Sequence, residues 1–135
     1  MLKSNRHIGF RHRLSMTLAV GQVGLAIMYL FPGILTPDRP TTTRIVLELA
    51  RVGPIWTVVF GLTGFAIAAA LRVHKVLHVA HAATGSVWVG FVFALVLSAI
   101  ANKGTYLLPA LAAVLAVVNF VLAVSYSEDM GREEP

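Results

Sequence analysis

Four runs of this chain contain no aspartate, glutamate, lysine or arginine: Leu14 to Phe31, Pro54 to Leu71, Val76 to Ile100 and Tyr106 to Val124. The shortest holds 18 residues. At 1.5 Å per residue, a helix of that length covers roughly 27 Å of a hydrocarbon layer about 30 Å thick. Charge is confined to the ends of the chain and the gaps between the runs. Over 135 residues, 57% belong to the hydrophobic set and only 13% are charged, where a soluble domain usually has about a quarter charged. The sequence therefore predicts one compact membrane domain: an all-α, four-transmembrane-helix bundle at residues 14–124. A basic N-terminal segment (1–13) precedes it and an acidic tail (125–135) follows.

The first run resembles a signal peptide, with Lys3, Arg6, Arg11 and Arg13 ahead of it. Its apolar stretch is longer than the usual signal core of about 7–15 residues, and Phe31-Pro32-Gly33 follows in place of a small-residue cleavage site. It reads as a retained first span. Between the first and second spans, Arg44, Glu48 and Arg51 fall at i, i+4 and i+7. This polar stripe on an otherwise apolar segment predicts a short amphipathic helix at Thr42–Val52, lying on the bilayer surface or against the bundle. Gly53-Pro54 then restarts the chain, proline being suited to a first helical position.

Lysine and arginine counts orient the bundle. Seven lie in the N-terminal segment, the second loop and the tail, and four lie in the first and third connections. That bias places both termini in the cytoplasm of a bacterial plasma membrane. Trp56 and Tyr106 are expected at the outer interface, whereas Trp88 is too deep for an aromatic belt. The net charge of +5 fits a rim touching anionic headgroups better than nucleic acid, since no basic face lies outside the gaps. There is no cysteine, which removes disulfide and thiolate chemistry.

Two constellations invite a chemical reading. His74, His78 and His81 stand at i, i+4 and i+7 at the start of the third span. Imidazoles on one helix face suit a metal, a haem or a proton relay, with His7 and His12 able to approach from the N-terminus. The competing reading is a cationic interfacial rim with Arg72 and Lys75. Separately, Gln22, Thr63 and Thr84 come out about 12 Å from the cytoplasmic end of their spans, with Asn119 slightly shallower and Ser86 slightly deeper. Amides are costly in hydrocarbon, so these residues predict a polar intramembrane layer facing protein, serving packing or lining a water path. Without an acid or base at depth, proton-coupled antiport is not expected. No phosphate loop, catalytic triad or carboxylate pair is evident, so neither an enzyme nor a cofactor is predicted.

The stretch from His81 to Gly90 with Trp88-Val89-Gly90, then Gly104-Thr105-Tyr106, Pro109, Asn119 and Tyr126-Ser127-Glu128-Asp129, resembles small four-helix membrane proteins of actinobacterial bacteriophages. The resemblance covers about a third of the chain. Such proteins often lie beside lysis genes, which implies a holin-like or lysis-regulating role, with the bilayer and other copies of the chain as partners. Two other expectations stand beside it. One is an interaction or exclusion subunit docking on another membrane protein; the other is a histidine-based metal or haem module.

Overall fold

A computed structural model of the protein describes residues 2–31, 54–103 and 106–131, with side chains from residue 9 to residue 129 except those of His74 and Asn102. Among these residues the fold is all-helical: α1 (Leu2–Leu30), α2 (Ile55–Ala70), α3 (Leu77–Asn102) and α4 (Leu107–Gly131), with a 3₁₀ turn at His74–Val76. Three helices carry apolar segments long enough to cross a membrane, Gly9–Leu30, Leu77–Ala101 and Leu107–Asp129. The fourth, α2, is shorter. Its 16 residues reach about 24 Å, less than the hydrocarbon thickness expected of a span. The amphipathic stripe of Arg44, Glu48 and Arg51 lies outside the described residues.

The expected spans differ from the helices mainly at the ends. Helix α1 begins at Leu2 and α4 continues to Gly131, so both run through segments the sequence assigns to a basic leader and an acidic tail. Contacts between the two explain this. Arg11 Nη2 meets Asp129 Oδ2 at 2.7 Å, and Arg11 Nη1 donates to the Ser125 hydroxyl at 2.6 Å. An ordered ion pair rewards continuing both helices past the apolar boundary.

The helices form an up-down-up-down bundle built from two hairpins, α1 with α2 and α3 with α4. Side-chain size sets both. A Cβ on Gly64 would lie 2.8 Å from Gln22 Cβ and 3.0 Å from the Ala19 carbonyl, so only glycine permits this approach of α2 to α1. In the other hairpin, Gly85 sits under the Phe120 ring, 3.1 Å from where a Cβ would stand. The turn from α3 to α4 begins with Lys103 in the left-handed region (φ 51°), its N–H closing on Ala99 O.

Two apolar clusters fill the interior. Toward the Leu71–Leu77 end, Ala19, Ile67, Ala70, Leu71, Leu77 and Ala80 pack together. Toward the other end, Trp56, Phe60, Trp88 and Phe91 interlock, with Trp56 and Phe91 edge to face at 4.9 Å and Phe60 and Trp88 at 5.2 Å. Trp56 is therefore buried and not a solvent-facing anchor: it stands in the first turn of α2, but its ring turns into the bundle. Tyr106 is exposed, as an interfacial residue requires. Trp88 is a core residue.

Candidate functional site

Among the described residues, a line of side-chain hydrogen bonds joins α1, α3 and α4 one turn inside the end at which Arg11 and Asp129 meet. Its centre is His81, fully buried in the second turn of α3. Ser15 Oγ lies 2.8 Å from Nε2, and Asn119 Oδ1 lies 2.9 Å from Nδ1. Tyr126 stacks on the imidazole, with centroids 5.8 Å apart and planes within 9°, and its hydroxyl reaches Ser15 Oγ at 3.2 Å. The Arg11 guanidinium stands 5.4 Å from the centroid of the Tyr126 ring.

Donor and acceptor chemistry orients this line. Asn119 Nδ2 donates to the Leu115 carbonyl at 2.8 Å, which turns Oδ1 toward the ring as an acceptor. Nδ1 then carries the imidazole proton, and Nε2 accepts from the Ser15 hydroxyl. Tyr126 donates to the remaining lone pair on Ser15. Every bond runs in one direction, from Tyr126 through Ser15, His81 and Asn119 to the α4 backbone, and a neutral imidazole fulfils all of them.

The geometry resembles a nucleophile, base and orienting group in sequence. Its surroundings oppose acyl transfer. Ser15 is fully buried and covered by Tyr126, and it lies in mid-helix, where its own and neighbouring N–H groups are consumed by α1 and cannot form an oxyanion hole. The arrangement is a closed hydrogen-bond relay that ties three helices.

The residues expected to form one intramembrane layer divide. Asn119 belongs to the His81 line. Gln22 is buried, and its Oε1 lies 3.3 Å from the hydroxyl of half-buried Thr63 across α1 and α2, where it competes with the Val59 carbonyl at 2.8 Å for the one hydroxyl hydrogen. The Gln22 Nε2 and the Trp88 Nε1 are buried donors without a hydrogen-bond partner among the described residues. Thr84 is buried but returns its hydroxyl to the Ala80 carbonyl at 2.8 Å. Ser86 points outward, bonded to the Ala82 carbonyl. The cost of an unpaired amide in hydrocarbon assigns Gln22 and Asn119 to the interior, but depth alone gives no azimuth, and Ser86 falls on the wrong face.

The three histidines do not lie on one continuous helix. His74 belongs to the 3₁₀ turn and α3 starts only at Leu77, so the i, i+4, i+7 relation has no continuous helix beneath it. His81 spends both ring nitrogens on Ser15 and Asn119, while His78 is half-buried with Nδ1 unpartnered. Among the described residues, no group of three histidines or carboxylates is placed to hold a metal. Ser15, Tyr126 and Arg11 escape the sequence reading. The usable signal is spacing: Ser15 lies seven residues before Gln22, and Tyr126 seven after Asn119, two turns along the same buried face.

Comparisons with protein families, with curated proteins and with solved structures find no match to this chain.

Proposed function

We propose that this chain is a small integral membrane protein of holin-like or lysis-regulating type, acting by helix association in a bacterial plasma membrane without catalysing a reaction. The carrying observation is the contrast between its surface and its interior. Outward positions are large and apolar along every helix, including Val20, Leu62, Phe65, Phe93 and Val117. Soluble monomers rarely expose contiguous apolar surface on this scale. The His81 line, by contrast, is closed on itself inside the bundle. What remains available for work is the lipid-facing surface, where neighbouring helices exchange with lipid.

In this reading α2 is the second span, and local bilayer thinning or the chain that flanks it makes up its short length. Both termini are cytoplasmic, since α1 and α4 meet at the end that carries exposed Arg13, Arg72 and Lys75. Nothing in a holin-like mechanism requires an ionisable centre in the pore. Lesion formation needs only helix faces that trade lipid for copies of themselves.

The test is induced expression of the chain alone in a bacterial host, with membrane potential and culture density followed together. Abrupt depolarisation after a delay, and lysis on co-expression of a muralytic enzyme, is the expected result. An unchanged potential at verified membrane expression removes autonomous lesion formation, and with it the holin reading.

A further inference from the structure

The His81 line has a property that its role as a tie does not need: its ring is fully buried, and both of its hydrogen-bond partners, Ser15 and Asn119, are uncharged. Nδ1–H is committed to Asn119 Oδ1 and Nε2 to the Ser15 hydroxyl. A second proton on Nε2 reverses the Ser15 bond. The Ser15 oxygen then accepts from the ring and its hydroxyl turns to the Tyr126 oxygen at 3.2 Å, so the bonds reverse while a full positive charge is left in a site closed to water. Asparagine offers no charge to compensate the imidazolium.

The charged and titratable groups around the ring do not compensate it either. From α1, the nearest is Arg11, a cation held over the Tyr126 ring on which His81 also stacks. From α4 come the Tyr126 phenol and Asp129, and the carboxylate is engaged by Arg11 at 2.7 Å. On α3 itself, His78 lies one turn earlier. The residues of α2 that pack at this level are Ile67, Ala70 and Leu71, all apolar, and Arg72 and Lys75 just beyond them are exposed cations. A proton arriving at His81 thus meets more positive than free negative charge.

We infer that Ser15, His81, Asn119 and Tyr126 form a proton-sensing latch: the neutral ring holds α1 against α3 and α4, and its protonation frees α1 at this end of the bundle. The packing of α1 on α2 through Gly64 is untouched, so the α1–α2 hairpin moves as a unit. From the proposed function the inference takes only the membrane placement of the spans, which keeps bulk water from solvating the charged ring. Histidine is the side chain suited to such a device, because its ordinary titration lies between about pH 5 and pH 8.

The absence of cysteine makes a clean distance measurement feasible. Nitroxide labels on Arg13→Cys and Ser127→Cys, both exposed positions on α1 and α4, report their separation in phospholipid vesicles by pulsed electron spin resonance. Between about pH 8 and about pH 5, the expected result is a second, longer distance whose population rises at least about five-fold, toward the tenfold that a 1.4 kcal/mol shift represents. His81→Gln, which removes the titrating group, is expected to show the same distribution at both pH values. Asn119→Asp supplies the missing carboxylate and is expected to keep the short distance at acid pH. A wild-type distribution unchanged by pH, or an equal change in His81→Gln, overturns the latch. The expression assay separates the two ideas. Distances that respond to pH in a chain that never depolarises cells leave the latch standing without the lesion, and depolarisation with pH-independent distances leaves the lesion without the latch.

Discussion

Ser15, His81 and Asn119 are hydrogen-bonded in series, so the cost of removing a member depends on what it leaves behind. Replacing Asn119 with alanine strands the Nδ1–H of a fully buried ring, whereas replacing Ser86 removes a hydroxyl that faces outward and serves only its own helix. A stranded buried donor costs about 1–3 kcal/mol in general, although interhelical hydrogen bonds in bilayers average nearer 0.6 and reach about 1.7. Asn119→Ala is therefore expected to lower bundle stability by about 1–2 kcal/mol, and Ser15→Ala by a similar or smaller amount. Ser86→Ala is expected to stay within about 0.5 kcal/mol. Unfolding from mild detergent by added dodecyl sulfate, followed through Trp56 and Trp88 fluorescence, checks the ranking. Equal effects at Asn119 and Ser86 contradict the buried line.

At the level of the helices, glycine position separates contact from open surface. Gly64 lies where a methyl group would overlap Gln22 and the Ala19 carbonyl, while nothing stands within 4 Å of a Cβ at Gly24. Forcing a methyl into the first site pushes α2 from α1 or shifts the backbone, for which overpacking costs of about 1–3 kcal/mol are typical. Gly64→Ala is accordingly expected to destabilise the bundle by that amount. Gly24→Ala is expected to be neutral or slightly favourable, since alanine is about 1 kcal/mol better than glycine inside a helix. Helix lengths follow a different logic. The chain's apolar runs predict three of the four helices as long apolar segments, but the extension of α1 and α4 past those runs depends on Arg11, Ser125 and Asp129 meeting across the bundle, residues 114 and 118 positions apart in sequence. No local pattern encodes such a pair.

For the whole molecule, the largest consequence is that α1 and α4 share one end of the bundle. The meeting of Arg11 with Asp129 puts the N-terminal half of α1 and the C-terminal half of α4 at one end. If α2 crosses the bilayer, reporter fusions at either terminus should give the same, cytoplasmic, result: active with a fluorescent protein that folds inside, inactive with a phosphatase that needs export. Opposite results at the two ends would show that α2 does not cross. The sequence by itself determined the all-helical class, the apolar character of all four helices and the inward facing of Gln22 and Asn119, because the penalty for unpaired polar groups away from water acts on each segment locally. That all four helices are long enough to span does not hold, since α2 is short. The sequence could not determine that His81 would spend both nitrogens on α1 and α4, that Trp56 would turn inward, or that Ser86 would turn outward. Those outcomes rest on the azimuth of each helix about its own axis. Only the packing of glycine, serine and aromatic side chains between neighbouring helices sets that angle, and it does so through contacts far apart in the chain.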